Sequence, residues 1–148
     1  MKTRAVQQRD LDSWANFRLQ LWPDSGDGYR AELVAYFAGD CSVVTQAFVL
    51  ENDQAQLCGF IELNIRSNIT GSTAPKMPFI EGWFVAGEYR ACGFGAKLMA
   101  RAEQWAQDQG YTELGSDAEA NNTPSIKAHL GFGFQETQRI VCFIKQLE

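Results

Sequence analysis

At 148 residues the chain has the length of one domain, and roughly two thirds of its unfolded surface can be buried in a single core. A formal net charge of −5 argues against nucleic acid as a partner and favours cationic ligands. No stretch nears the ~18 continuous apolar residues of a membrane span, and the start MKTRAVQQRD lacks a signal-peptide core, so a cytoplasmic protein without a membrane partner is expected. Cys41, Cys58, Cys92 and Cys142 are scattered without a CxxC pair, which argues against a disulfide framework and a metal site. They read as reduced thiols packed like small hydrophobes.

In chain order, residues 3–8 read as a short edge strand. Asp10 can then cap a helix running to about Leu21, with Leu11, Trp14, Phe17, Arg18 and Leu21 at near-helical spacing. WPDSGDG breaks that helix, and a second one, about Tyr29 to Phe37, ends at Gly39. The runs SVVTQAFVLEN and QLCGFIELNIR straddle NDQA and predict a hairpin. SNITGSTAPKMP is a loop, and FIEGWFVA has the aromatic and β-branched content of a central strand. Phe94, Leu98, Met99, Ala102, Trp105 and Ala106 share one helical face, and Gly110 supplies the stop. YTELGS predicts another strand, NTPSIKAHL a short helix, and the last fifteen residues two strands. The order β-α-α-β-β-β-α-β-α-β-β predicts one α/β domain over residues 1–148 with a mixed sheet.

The segment RACGFG, Arg90 to Gly95, joins the central strand to the long helix. Backbone N–H groups at a helix start lack intrahelical partners and the macrodipole is positive there, so an anion is stabilised. Gly93 and Gly95 allow close backbone approach, Arg90 adds charge, and the segment can wrap a phosphate or pyrophosphate. As a bare pattern the glycines could equally be turn residues. A Rossmann turn fails because Leu98 stands where a third glycine is required, and no P-loop pattern occurs.

RACGFG, placed between a strand and a helix and followed by NNTPSIKAH and GF, resembles the acetyl-CoA loop of the GNAT superfamily of N-acetyltransferases, and the resemblance covers essentially the whole chain. LQLWPD, FIEGWFV, GSDAEANNT and GFQETQR sharpen it toward the aminoglycoside 6′-N-acetyltransferases. The resemblance implies a GNAT fold of α+β type, with a mixed, mostly antiparallel central sheet flanked by helices, and commonly a homodimer. It also implies that the backbone of Trp83, Phe84 and Val85 pairs with the pantetheine arm of acetyl-CoA. Arg90, Ala91, Cys92, Gly93, Phe94 and Gly95 would cradle the pyrophosphate, and Asn122 would contact the arm. On the acceptor side it implies Trp22, Glu81 and Asp117, with Asn68 and Gln138 as further candidates. At the last two positions the chain departs from relatives that carry an aromatic and an acid respectively.

The chemistry explains these residue types. An aminoglycoside is a polycation, and its 6′-ammonium must lose a proton before the nitrogen attacks a thioester. Carboxylates at Glu81 and Asp117, expected on neighbouring strand ends, can anchor one amine and accept a proton from another. His129 lies four residues before Gly133, where many superfamily members have a tyrosine, and is a candidate acid for the departing thiolate, against a structural role. Cys92 reads as a loop residue whose backbone matters. The expectation is direct acetyl transfer from acetyl-CoA to the 6′-amine of an aminoglycoside, without metal. Another amine (polyamine, protein N-terminus or small metabolite) and a non-catalytic acetyl-CoA-binding module are the alternatives.

Overall fold

The computed structural model describes residues 1–148. Four strands, β1 (Lys2–Ala5), β2 (Gln46–Glu51), β3 (Leu57–Ser67) and β4 (Lys76–Val85), form one antiparallel sheet in the order β1-β2-β3-β4. A single 3-10 turn leads into α1 (Leu11–Leu21), and α2 (Arg30–Phe37) follows it. After β4 come α3 (Phe94–Asp108) and α4 (Thr123–Gly131).

Alternation along the strands divides the core into two layers. Val49, Phe60 and Phe84 face Trp14 and Phe17 of α1 and Leu33 of α2. Phe48, Ile61, Leu63 and Ile80 face Leu98, Met99 and Ala102 of α3, which are the residues expected on its apolar face. Helix ends also follow the sequence signals. Gly39 and Gly110, at φ 76° and 86°, stop α2 and α3 in the left-handed conformation that glycine tolerates.

The first strand is shorter than expected because Asp10 accepts a bond from the backbone N–H of Gln7 at 2.7 Å and turns the chain into α1. Asp10 also holds Arg4 at 2.7 Å, and Arg4 reaches Glu51 across the β1–β2 pair. Hydrogen bonds from Lys2 and Arg4 pull the buried Glu51 carboxyl down to about 2. A carboxyl depressed on folding stabilises the fold above its unfolded value of about 4.3, and that contribution is lost as pH falls through the folded value. Glu51→Gln should therefore lower Tm at pH 7 and flatten its decline between about pH 4.5 and pH 2. Parallel acid-titration curves of wild type and variant would exclude this role.

Two expected strand regions differ. YTELGS contributes only Gly115, which bridges Phe79 in parallel sense through Ile80 N–H to Gly115 O and Gly115 N–H to Pro78 O, both 2.9 Å. Its neighbour Glu113 is instead drawn to the loop before β4, where it accepts from Thr73 Oγ1 at 2.7 Å. Nor do the last fifteen residues form strands: from 135 to 148 the backbone makes no hydrogen bond within the chain. A strand needs a neighbouring edge, and in this protomer the tail is paired with none.

Candidate active site

β4 bends where the site is built. Glu62 pairs with Gly82 but the next residue, Leu63, pairs with Ile80, so Glu81 is an extra residue, a β-bulge. The bulge shifts the alternation: Ile80 and Trp83 both pack toward α3, while Phe84 packs toward α1. Glu81 keeps the face of Met77 and Phe79 and lines the cleft at the end of α1, and the bulge brings Gly82 onto that face as well. Gly82 beside it has no room for a side chain, since a Cβ there would lie 2.9 Å from Trp22 Cη2 and 3.0 Å from Phe60 Cε2.

Beyond the bulge β4 pairs only with β3. The parallel neighbour touches it at Phe79 and then departs, so the outer backbone edge of residues 81–85 is open. An extended ligand arm can add to such an edge as a further strand. The edge leads into the 90–95 loop, where Ala91 and Gly93 have φ of 59° and 78°. No backbone N–H from Ala91 to Ala96 finds an acceptor in the protein. Six consecutive free donors at the start of α3 form a concave nest that suits a pyrophosphate. Gly93 opens onto free space, and Gly95 leaves 3.2 Å between a prospective Cβ and Trp83 Cζ2. Arg90, exposed, donates Nε–H to Val85 O at 2.7 Å and keeps its terminal nitrogens unbonded. The Cys92 thiol is likewise exposed. These features fit a nucleotide-linked thioester such as acetyl-CoA.

On the α1 side of β4 lies an open cleft of about 520 Å³, lined by Trp22, Tyr29, Asp24, Glu32, Glu62 and Glu81 among others. Its floor is a buried charge network. Arg18 gives one nitrogen to Glu62 and another to Glu32, each at 3.0 Å, and Trp14 Nε1–H donates to Glu62 at 2.9 Å. Burial pushes the Glu62 carboxyl up, against the pull of Arg18 and Trp14. Glu81 is held by a two-pronged pair with Arg66, Nε to Oε1 at 2.7 Å and a terminal nitrogen to Oε2 at 2.6 Å. Asp117 is exposed, makes no hydrogen bond within the protein, and acts electrostatically on Arg66.

The structure thus brings Trp22 and Glu81 to one cleft, and Asp117 is not among the residues that line it. Glu81 and Trp83–Val85 lie on the same strand, not on successive ones, and the bulge is what separates their roles. Asn68 and Gln138 are exposed and do not line the cleft. Asn122 caps α4, accepting from Ser125 N–H at 3.2 Å, which leaves its amide nitrogen available. His129 is occupied at both nitrogens: Nδ1 is 2.7 Å from the Ser125 carbonyl and Nε2 is 2.7 Å from Ser116 Oγ. Because a carbonyl only accepts, Nδ1 carries a proton, and in the neutral ring Nε2 then accepts from the Ser116 hydroxyl. The ring ties α4 to the segment before Asp117.

Sequence reasoning missed Arg18, Glu32, Glu62 and Arg66. A signal existed for Glu62, a lone charge inside the apolar run CGFIELNI. Buried at that position, it requires a partner, and Arg18 on the apolar face of α1 is that partner.

An open strand edge running into a nest of N–H groups beside an acidic cleft defines an acyl-CoA-dependent N-acetyltransferase. The chain belongs to the acetyltransferase (GNAT) family, whose sequence profile matches residues 9–134. Among its relatives is the aminoglycoside N(6′)-acetyltransferase type 1 of Klebsiella aerogenes, 33% identical over 97% of this chain and 95% of the relative. The enzyme of the same description from Acinetobacter baumannii is 32% identical over 99% of both. Similar solved structures include the apo 6′-N-acetyltransferase AAC(6′)-Ig of Acinetobacter haemolyticus, at TM-score 0.86 and 29% identity over the full length of both chains. Another is AAC(6′)-Iy bound to the bisubstrate analogue CoA-S-monomethyl-acetylneamine, at TM-score 0.85 and 28% identity over 99% of this chain and 98% of that one.

Proposed function

We propose that this acetyltransferase modifies aminoglycosides, transferring the acetyl group of acetyl-CoA to the 6′-amine by direct attack in a ternary complex. The observation that carries this reading is the acidic cleft, with Asp24, Glu32, Glu62 and Glu81 in its lining, beside the open edge of β4. A polycation is drawn to such a cleft, and holding it beside the donor removes much of the entropic barrier.

Acetyl-CoA supplies an activated acetyl thioester. The backbone of Trp83, Phe84 and Val85 would hold its arm, and Arg90 to Gly95 would hold its pyrophosphate. The amide nitrogen of Asn122 would reach the arm. Free N–H groups on the open edge can polarise the thioester carbonyl, lowering the barrier as charge develops on its oxygen. Trp22 would pack against a sugar ring, Glu81 would anchor an ammonium, and Glu81 or Asp117 would take the 6′-proton directly or through a water. No step in this scheme calls for a metal.

For His129 the geometry supports holding α4 in place over serving as the acid expected from the sequence. His129→Phe should then lower stability by about 1 kcal/mol while leaving kcat and its pH profile near wild type. A large fall in kcat with one limb of the profile flattened would restore the acid role.

The same reading includes a homodimer working in the cytoplasm, where acetyl-CoA is available and the four free cysteines stay reduced. No helix is long and apolar enough to cross a membrane. Support for the dimer comes from the tail, where Ile140, Val141, Phe143, Ile144 and Leu147 are 68 to 90% exposed and the backbone is unpaired. A second copy of the chain can bury them. Light scattering at the monomer mass of 16.5 kDa would rule the dimer out.

The deciding experiment is acetyl-CoA turnover with kanamycin, which has a 6′-amine, beside an analogue with a 6′-hydroxyl, with NMR location of the added group. Acetylation at the 6′ position of the first alone is expected. Failure there, with ready modification of peptides or polyamines, would leave only the family assignment standing.

A further inference from the structure

In the free protein the cleft's acids are largely matched from within. Arg18 serves Glu32 and Glu62, and Arg66 takes both oxygens of Glu81. The two arginines differ in where they sit. Arg18 is 5% exposed, lies against the Trp22 ring at 5.3 Å and belongs to the floor. Arg66 is 40% exposed, and the Glu81 it holds is 19% exposed, so this pair meets solvent at the rim.

The position of Arg66 is specific. On β3 it pairs with Met77, so its side chain runs along the sheet past Phe79 to reach Glu81 on the same face. Its guanidinium rests 3.9 Å from the centroid of the Phe79 ring, and Asp117 adds a second negative charge. A cation stacked on an aromatic face and paired with a carboxylate is the arrangement that a substrate ammonium would adopt in the same place. Because the pair meets solvent, water can take over the guanidinium when a second cation competes for Glu81.

Resting on the acceptor site proposed above, we infer that Arg66 is a displaceable internal cation that competes with the acceptor amine for Glu81 and so sets the affinity threshold of the site. A polyamine ligand that reaches Glu81 with one amine and other cleft acids with the rest replaces the guanidinium, which swings into solvent. A monoamine makes one contact and does not repay the displacement. Arg66 thus imposes one displacement cost on every amine that uses Glu81, and only a ligand with further contacts in the cleft binds tightly in spite of it.

The test compares wild type, Arg66→Leu and the Arg66→Leu/Glu81→Gln double variant, by calorimetric binding of kanamycin, spermidine and ethanolamine to the CoA-loaded protein and by KM and kcat for each. Leucine keeps apolar cover over Phe79. Arg66→Leu should tighten ethanolamine and kanamycin binding alike, about three- to tenfold, because the cost of opening the same ion pair is removed for both. The double variant should lose the gain. Unchanged or weaker ethanolamine binding in a folded Arg66→Leu protein overturns the inference. Should that variant not fold, Arg66→Lys keeps the charge but not the two-pronged contact, and must show the same tightening in smaller degree or the inference fails. Absence of kanamycin turnover in the wild type would sink the aminoglycoside reading alone, since spermidine and ethanolamine binding still decide the role of Arg66.

Discussion

Glu81→Gln should raise KM for kanamycin about tenfold or more, because a charge-assisted hydrogen bond to a bound ammonium contributes about 1.5–3 kcal/mol and a neutral amide retains only part of it. Size and shape are preserved, so the bulge in β4 survives and the effect reports the charge. An interaction made equally in the ground state and the transition state leaves kcat in place when it is removed, whereas loss of the base lowers kcat and moves the rate optimum to higher pH. Asp117→Asn, at an exposed site, should cost about threefold in KM unless Asp117 is the base. Acetyl-CoA affinity should be near wild type in both, since neither residue lies on the 90–95 loop. If steady-state kinetics show KM and kcat unaltered in both variants, the acidic cleft is not the acceptor site.

Gly93→Val should weaken acetyl-CoA binding about 100-fold while the fold persists. At φ 78° the backbone is in the left-handed region, where a β-branched residue costs about 1–2 kcal/mol. Open space around the position means that the core is not disturbed. The added methyl groups project into the volume before the free N–H groups of residues 91–96, where a pyrophosphate must come close. Calorimetry on the folded variant gives the answer: wild-type affinity would remove the loop from the donor site. Kanamycin binding should be little altered, which separates this variant from Glu81→Gln.

Much of this architecture is local in origin. The periodicity of Leu98, Met99 and Ala102 specifies the buried face of α3, and Gly110 its end, because those signals act within one or two turns. RACGFG is legible for the same reason: helix-start donors and glycine freedom are properties of a few consecutive residues. Trp22 and Glu81 could be named from family resemblance, but nothing local to either residue places them together.

What the tertiary structure decided lies in relations between distant segments. The bulge at Glu81 is a mismatch between β3 and β4, so no pattern within FIEGWFV discloses it. Arg66 and Glu81 are fifteen residues apart and pair only because the β3–β4 register sets Arg66 opposite Met77, on the face that Phe79 and Glu81 share. Arg18 joins Glu62 across 44 positions because burying either charge alone would be costly. YTELGS and the final residues have strand-like composition, yet strand formation depends on a neighbouring edge. Only Gly115 meets such an edge within the protomer, whereas a helix completes its backbone hydrogen bonds from its own sequence.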